Sequence, residues 1–215
     1  MTTMVAPTVA PPVPPPVRMS YEEWLAWDYE GGLTEWVNGE VIFHMATTET
    51  HQKIVEFLHL VLSLFVRKFQ LGKVHTAPYA MRSKSDGNAR EPDLVFISSA
   101  NLARVTDAEL QGPADLAVEV VSDDSVTRDL DKKFYEYEAG GVREYWIIDP
   151  RPDRQRAFFY VLDANGRYQP VRIGDDAIYR SSVLPDFWLK VDWLWADEPD
   201  ALAALAELQV ISSAR

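Results

Sequence analysis

The sequence predicts a mixed α/β domain built around one central sheet. Two short runs, 94–97 and 116–121, are almost entirely apolar, which is typical of strands covered on both faces. Apolar residues recur at three- and four-residue spacing over 49–71, which indicates a long amphipathic helix. Asn-Gly pairs between short apolar runs indicate hairpins before and after these elements. This order of helices and strands favours a sheet flanked by helices.

Length and composition favour one globular domain with a tail. The chain has 215 residues, of which 47% are hydrophobic and 25% are charged, and these are ordinary globular values. The run 11–16 is almost all proline, which favours extended polyproline conformation. We therefore expect a disordered proline-rich tail over 1–18 and a single domain over 19–215. A docking ligand for a partner protein is the alternative for the tail.

Net charge and residue types limit the function classes. The formal net charge of −12 argues against tight, non-specific DNA binding, because such binding depends on Lys and Arg. The chain has no cysteine, which excludes disulfides and thiolate metal sites and fits a reducing, cytoplasmic setting. No apolar run reaches the roughly 18 residues that span a membrane, and we expect neither a membrane partner nor a secretory signal.

Capping and turn residues set the expected element bounds. A capping box at 20–23 predicts a helix over 21–28 that buries Trp24 and Trp27, and Asn38-Gly39 predicts a tight N-terminal hairpin over 35–43. The remaining expected elements are the helix over 49–71 with Gly72 as its stop, strands over 74–81, 94–97, 116–121 and 144–148, a helix from Ser125 or Thr127 to Ala139, a hairpin over 157–173, and a final helix over 199–210.

Two carboxylates on these strands suggest chemistry. Asp93 opens the first buried strand, and Glu119 interrupts the second. A carboxylate among apolar side chains is costly to bury unless it is paired or binds metal. Two such acids on adjacent strands can hold Mg²⁺ or Mn²⁺, which would polarise a phosphoryl oxygen and lower the pKa of bound water. A nearby lysine could orient that water, and the helical stretch after the second strand carries Lys132 and Lys133.

Each of these residues also has a structural interpretation. Asp93 and Glu119 could cap a helix or pair with Arg90 or Arg128. Lys133 stands four residues after Asp129, the spacing of a solvated ion pair on a helix surface. The residues alone therefore leave a metal-dependent phosphodiester hydrolase and a purely structural role open.

Ordered segments across the chain resemble a known family. The resemblance is to the PD-(D/E)XK nuclease superfamily, and more narrowly to its Uma-type family of putative restriction endonucleases, over about residues 19–195. The segments that carry it are YEEW (21–24), EWVNGE (35–40), HQ (51–52), EPDL (91–94), AVEVVS (117–122), RD (128–129), Lys133, Tyr137, GV (141–142) and EYWIIDP (144–150).

This resemblance implies a restriction-endonuclease-like core, with a central mixed sheet flanked by helices and an added N-terminal hairpin. It also implies DNA as the substrate and Mg²⁺ or Mn²⁺ as the cofactor. Asp93 and Glu119 fall on the metal-binding acids of the superfamily, and the Val120 carbonyl would be a third ligand. The motif lysine is expected two residues after Glu119, where this chain has Val121. Lys133 matches the position to which the lysine has migrated in this family.

Two further residues match family positions upstream. Glu35 matches an acid that adds to the site, with a surface residue of the hairpin as the alternative. His51 matches a position at the start of the long helix, where a structural role is the alternative. Arg82, Lys84 and Arg90 form a modest basic cluster that could contact phosphates or belong to a solvated loop.

Three functions follow as hypotheses. The first is a metal-dependent endonuclease acting on DNA, with Asp93 and Glu119 as metal ligands and Lys133 and Glu35 as further catalytic residues. The second is a non-catalytic binding protein that keeps the nuclease fold, which Val121 and the acidic charge favour. The third is a hydrolase of another phosphodiester. A homodimer would suit cleavage of both strands, with the second hairpin or the final helix as the interface.

Overall fold

A computed structural model of the chain describes residues 16–45, 47–122 and 131–212. The helices are α1 (Tyr21–Leu25), α2 (Glu49–Lys68), α3 (Lys133–Gly140) and α4 (Ala201–Glu207), with 3-10 helices at Ser99–Arg104 and Val191–Trp195. The strands are β1 (Thr34–Val37), β2 (Glu40–Phe43), β3 (Gly72–Thr76), β4 (Ala80–Arg82), β5 (Leu94–Ser98), β6 (Glu109–Gln111), β7 (Leu116–Val120), β8 (Glu144–Asp149), β9 (Arg156–Leu162), β10 (Tyr168–Pro170), β11 (Ile178–Arg180) and β12 (Trp188–Lys190).

A six-stranded sheet forms the centre of the molecule, in the order β10-β9-β8-β7-β5-β3. β7 and β8 pair in parallel, whereas the other neighbours in this sheet are antiparallel. α3 lies between β7 and β8 in the chain, as a parallel connection requires. The predicted central mixed sheet flanked by helices is therefore confirmed.

The two faces of the sheet carry separate apolar cores. Leu116, Val118 and Val120 of β7 pack in the core that contains α2 and α4, while Ala117 and Val121 pack in the core that contains Tyr137 of α3. Alternate residues of a strand point to opposite faces. Glu119 therefore lies on the face that α3 covers, and this fixes where its carboxylate can act.

The predicted N-terminal hairpin is present as β1 and β2. Asn38 and Gly39 have φ values of 52° and 82°, the left-handed conformations that a tight two-residue turn requires. Trp36 of β1 forms a bridge with Ala89, so the hairpin docks on the segment that leads to Asp93. Arg18, at the end of the predicted tail, bridges Glu40 of this hairpin; residues 1–15 of that tail lie outside the described part of the chain.

Both helices of the N-terminal half are shorter than predicted. α1 ends at Leu25, and Trp27 is only half-buried, although Trp24 is buried as expected. α2 ends at Lys68 because Gln70, with φ of 55°, takes the left-handed conformation expected of Gly72, which instead begins β3. Phe69 is accordingly exposed. Within the described ranges, no helix has both the length and the apolarity needed to cross a bilayer.

The predicted strand over 74–81 is wrong as a single element. β3 stays in the central sheet, while β4 pairs in parallel with β6 outside it. Pro78 lies between them and has no N–H for a strand ladder, which favours a break there. The sequence also did not predict β11 and β12, because strands of three residues contain too little alternation.

The helix predicted from Ser125 or Thr127 is seen only in part. Both proposed caps lie outside the described residues, and α3 begins at Lys133. Gly141 ends α3 with φ of 87°, in agreement with the predicted glycine stop. α4 is shorter than the predicted 199–210 because Asp200 caps its first turn through Ala203 N.

Glu144 on β8 is a fully buried carboxylate with a structural role. Its Oε2 accepts hydrogen bonds from Ser182 N at 2.7 Å, from Val183 N at 3.2 Å and from the Ser181 and Ser182 hydroxyls. Its Oε1 accepts from Trp146 Nε1 at 2.8 Å. This one side chain therefore ties the loop before β12 to the central sheet.

Replacing Glu144 by alanine should destabilise the protein strongly. The change would leave several buried donors without an acceptor, and we expect a loss of about 3 kcal/mol or more in the free energy of unfolding. Urea denaturation followed by tryptophan fluorescence measures this loss. The exposed Asp175→Ala should change stability by less than about 0.5 kcal/mol. Equal effects of the two substitutions would contradict the assigned role.

Candidate active site

Asp93 lies just before β5, where that strand meets the end of β7. The register pairs Leu94 with Val118, which brings Asp93 next to Glu119 and Val120. Asp93 Oδ2 accepts a hydrogen bond from Val120 N at 2.7 Å, and Asp93 Oδ1 lies 3.3 Å from His51 Nε2. His51 stands in the first turn of α2, where Thr48 caps its backbone N–H. Asp93 is therefore oriented from both sides rather than paired with Arg90.

Glu119 is buried on β7, and each of its carboxylate oxygens contacts a residue of α3. Tyr137 Oη donates to its Oε1 at 2.8 Å, and Lys133 Nζ lies 2.9 Å from its Oε2. Lys133 and Tyr137 are four residues apart and share one face of the helix. Burial raises the pKa of the Tyr137 hydroxyl, and the negative charge of Glu119 raises it further, so this hydroxyl remains a donor.

Lys133 reaches the site from a helix instead of from the strand. Lys133 is 1% exposed, whereas the neighbouring Lys132 is exposed to solvent. Val121, which occupies the usual position of the motif lysine, is buried in the apolar core beneath α3. The structure thus brings the displaced Lys133 to Glu119 and leaves Lys132 outside. The surface pair proposed with Asp129 involves a residue outside the described ranges.

Glu35 is fully buried, so the interpretation as a surface residue of the hairpin is wrong. Its Oε1 lies 3.0 Å from Lys133 Nζ and accepts from Glu91 N at 3.3 Å. Its Oε2 accepts from Arg90 at 2.9 Å and lies 3.4 Å from His44 Nε2. Burial alone would raise the pKa of Glu35, but the nearby Lys133, His44 and Arg90 hold it well below its ordinary value.

Two of the three residues in the suggested basic cluster of Arg82, Lys84 and Arg90 are engaged in contacts within the protein. Arg90 is 3% exposed and donates to Glu136 of α3 at 2.7 and 2.6 Å as well as to Glu35. The Arg82 guanidinium stacks over the Tyr21 ring, 3.8 Å from its centroid. Arg90 is thus committed to internal ion pairs, and the alternative of a solvated loop is also wrong for this residue.

Sequence reasoning missed Glu91 as a residue of the site. The atom Glu91 Oε2 is buried and has no hydrogen-bond partner among the described residues. Burial, with the negative charge of Glu35, raises the pKa of Glu91 to about 7. The available signal was its place directly before Pro92-Asp93 in a matched segment. His51 Nδ1 is likewise buried without a partner within the described chain.

These side chains meet in one cleft of about 400 Å³. Glu91, Asp93, Glu119, Val120 and Lys133 line it, while residues 31–33 and 44–45 beside the hairpin form part of its wall. Within the described residues, no group of three or more His, Asp or Glu side chains is arranged to hold a metal ion. Mg²⁺ commonly binds through one or two carboxylates and retains several waters, and the Asp93 and Glu119 oxygens fit that requirement.

Stability should depend on pH through Glu91. Its pKa is raised from 4.5 to about 7, so its contribution to the free energy of unfolding falls as pH rises through this window and is constant above it. Glu91→Gln removes this titration. We expect the variant to gain about 1–3 kcal/mol relative to wild type between pH 4.5 and pH 8, after allowance for partial solvent exposure.

Urea denaturation in EDTA at both pH values measures this gain. Glu56→Gln, at an exposed position of α2, is the matched control and should show no such dependence. A stability difference between Glu91→Gln and wild type that does not change with pH would contradict the raised pKa of Glu91.

Comparisons with known proteins agree with this architecture. A solved structure, a putative nuclease belonging to DUF820 from Anabaena variabilis ATCC 29413, is similar with a TM-score of 0.66 and 18% sequence identity. The match covers 82% of this chain and 97% of that chain, and it supports the restriction-endonuclease-like core. The comparison with curated proteins gave no match. The model of the Uma2 family, described as putative restriction endonuclease, matches residues 20–192, and this chain therefore belongs to the Uma2 family.

Proposed function

We propose that this protein is a divalent-metal-dependent endonuclease that hydrolyses phosphodiester bonds in DNA. The observation that carries the proposal is the meeting of the Asp93 and Glu119 carboxylates with the Lys133 ammonium in one cleft. Membership of the Uma2 family supports a nuclease. The metal, the choice of DNA and the roles of the individual residues are parts of the proposal.

The carboxylates of Asp93 and Glu119 would hold Mg²⁺ or Mn²⁺, with the Val120 carbonyl as a third oxygen. A bound ion of this kind supplies polarisation of a phosphoryl oxygen and a lower pKa for bound water. Val120 N keeps the Asp93 carboxylate in place, and Tyr137 does the same for Glu119. Each of these hydrogen bonds uses one of the two lone pairs of a carboxylate oxygen, so it does not by itself prevent that oxygen from binding a cation.

Lys133 would supply positive charge beside the reacting phosphate. Its ammonium lines the cleft and contacts Glu119, so it can orient a water molecule and stabilise the charge that develops on the phosphate. The contact supports the catalytic hypothesis over the non-catalytic one, because it answers the objection raised by Val121. A homodimer that cleaves both strands remains part of the proposal.

Neutral variants of the two acids should lose activity. Asp93→Asn and Glu119→Gln keep side-chain volume but remove the charge that would hold the cation, so we expect DNA cleavage to fall at least about 100-fold. Wild-type protein is assayed on supercoiled, linear and single-stranded DNA with Mg²⁺ or Mn²⁺, and EDTA should abolish cleavage. Calorimetry with Mn²⁺ alone should show binding to wild type and weaker binding to both variants.

The matched control for these variants is Asp175→Asn, an exposed acid that should retain wild-type cleavage. Undiminished cleavage by Asp93→Asn would contradict the assignment of that residue. The absence of both Mn²⁺ binding and cleavage in wild type would overturn the proposed function.

Substitution of the two adjacent lysines, Lys132 and Lys133, should affect the cleavage rate very differently. Lys133→Met removes the ammonium in the cleft and should lower the cleavage rate by about 100-fold. Lys132→Met changes an exposed side chain and should keep the rate within about twofold of wild type. Single-turnover cleavage measures both, and thermal melting identifies any loss of folded protein. Similar rates for the two variants would rule out the proposed role of Lys133.

A further inference from the structure

Lys133 needs a second anchor because it approaches Glu119 from a helix. A lysine side chain is long and flexible, and fixing it in one position costs conformational entropy. Lys133 Nζ lies between two acids, 2.9 Å from Glu119 Oε2 and 3.0 Å from Glu35 Oε1. Glu35 belongs to β1 of the added hairpin, whereas Glu119 belongs to the central sheet. The hairpin therefore contributes a contact that holds the ammonium, in addition to the contact from the central sheet.

Both oxygens of the Glu35 carboxylate are engaged by neighbouring groups. Its four contacts are Lys133, the Glu91 backbone N–H, Arg90 and His44, which match the about four acceptor sites of a carboxylate. Glu35 is fully buried and is absent from the described residues that line the cleft, whereas Asp93, Glu119 and Lys133 line it. A metal ion in the cleft would have to displace one of these partners to reach Glu35.

Arg90 extends the same network to α3. It donates to Glu35 at 2.9 Å and to both oxygens of Glu136 at 2.7 and 2.6 Å. Glu136 lies three residues after Lys133, so the hairpin is joined to α3 at two places, through Lys133 and through Arg90. These contacts fix the helix that carries the lysine.

We infer that Glu35 is a positioning residue, which holds the Lys133 ammonium against Glu119 and does not ligate the metal. The inference deepens the proposed function and rests on it for the catalytic consequence. It assigns the added hairpin a task in the active site, because Glu35 holds in place a lysine that comes from α3 rather than from position 121 of the strand. The position of Lys133 itself can be tested without any cleavage.

Acetylation of lysine measures that position directly. Lys133 is 1% exposed and should resist acetic anhydride in the wild-type protein, whereas exposed Lys132 should react and serve as an internal standard. In Glu35→Gln the anchor loses its charge, and we expect acetylation of Lys133 to rise at least tenfold by mass spectrometry. Glu40→Gln changes an acid on the same hairpin that pairs with Arg18, and it should keep Lys133 protected. Full protection in folded Glu35→Gln would overturn the inference.

Mn²⁺ affinity separates a positioning residue from a ligand. Glu35→Gln should bind Mn²⁺ within about twofold of wild type, whereas Glu119→Gln should bind at least tenfold more weakly. A tenfold loss in Glu35→Gln would assign Glu35 to the metal site and overturn the inference. If wild type binds no Mn²⁺ and cleaves no DNA, the proposed function fails, while acetylation still decides the position of Lys133.

Cleavage kinetics test whether Glu35 acts through Lys133. Glu35→Gln should lower kcat by about 30-fold with little change in KM, and adding it to Lys133→Met should lower activity no further. Losses of activity that multiply in the double variant would overturn the inference.

If Glu35→Gln proves unfolded by thermal melting, Glu35→Asp replaces it, because it keeps the charge and withdraws the carboxylate by one methylene. Partial exposure of Lys133 in that variant supports the inference, and unchanged protection overturns it.

Discussion

The burial of Lys133 between Glu119 and Glu35 is the interaction on which the site depends. A buried charge is tolerated only when partners compensate for its lost hydration, and removing one partner leaves the others uncompensated. Here an ammonium from α3 meets acids from β7 and β1 at 2.9 and 3.0 Å. Three distant parts of the chain must therefore be correctly placed at once. This requirement couples the added hairpin and the central sheet more tightly than their separate apolar cores would.

The topology explains why a helix can supply the lysine. α3 lies in the connection between the parallel strands β7 and β8, and Tyr137 of α3 packs in the same core as Ala117 and Val121. Glu119 points to that face between the two apolar residues of its strand. Lys133, in the first turn of α3, thus contacts Glu119 from the face of the sheet that the helix covers. Val121 packs in the apolar core on that face. In the proposed site, Lys133 of the covering helix takes the role that the superfamily motif gives to a lysine at the position of Val121.

The sequence predicted the sheet and the central pair of acids better than their surroundings. Continuous apolar runs identified β5 and β7, and the interruption by Glu119 was visible because a charge there is costly. Glu35 remained ambiguous, since a strand of four residues does not reveal which face becomes buried. The ion pairs of Arg90 and the surroundings of Glu91 were not predicted, because they depend on contacts with residues 35 and 136, which are far away in the chain. The end of α2 was misplaced because Gln70 adopts a conformation usually assigned to glycine.

The net negative charge of the chain agrees better with a cleft that binds a cation than with a surface that binds DNA directly. Arg90 and Lys133 are both buried in ion pairs with Glu35. Neither side chain therefore adds to a basic surface that could neutralise phosphates. Among the described residues that line the cleft, the carboxylates of Asp93 and Glu119 outnumber the ammonium of Lys133, and this negative charge attracts cations. If the cleft acts on DNA as we propose, a divalent cation would add positive charge beside the phosphate to that of Lys133, whose ammonium is also paired with Glu35 and Glu119.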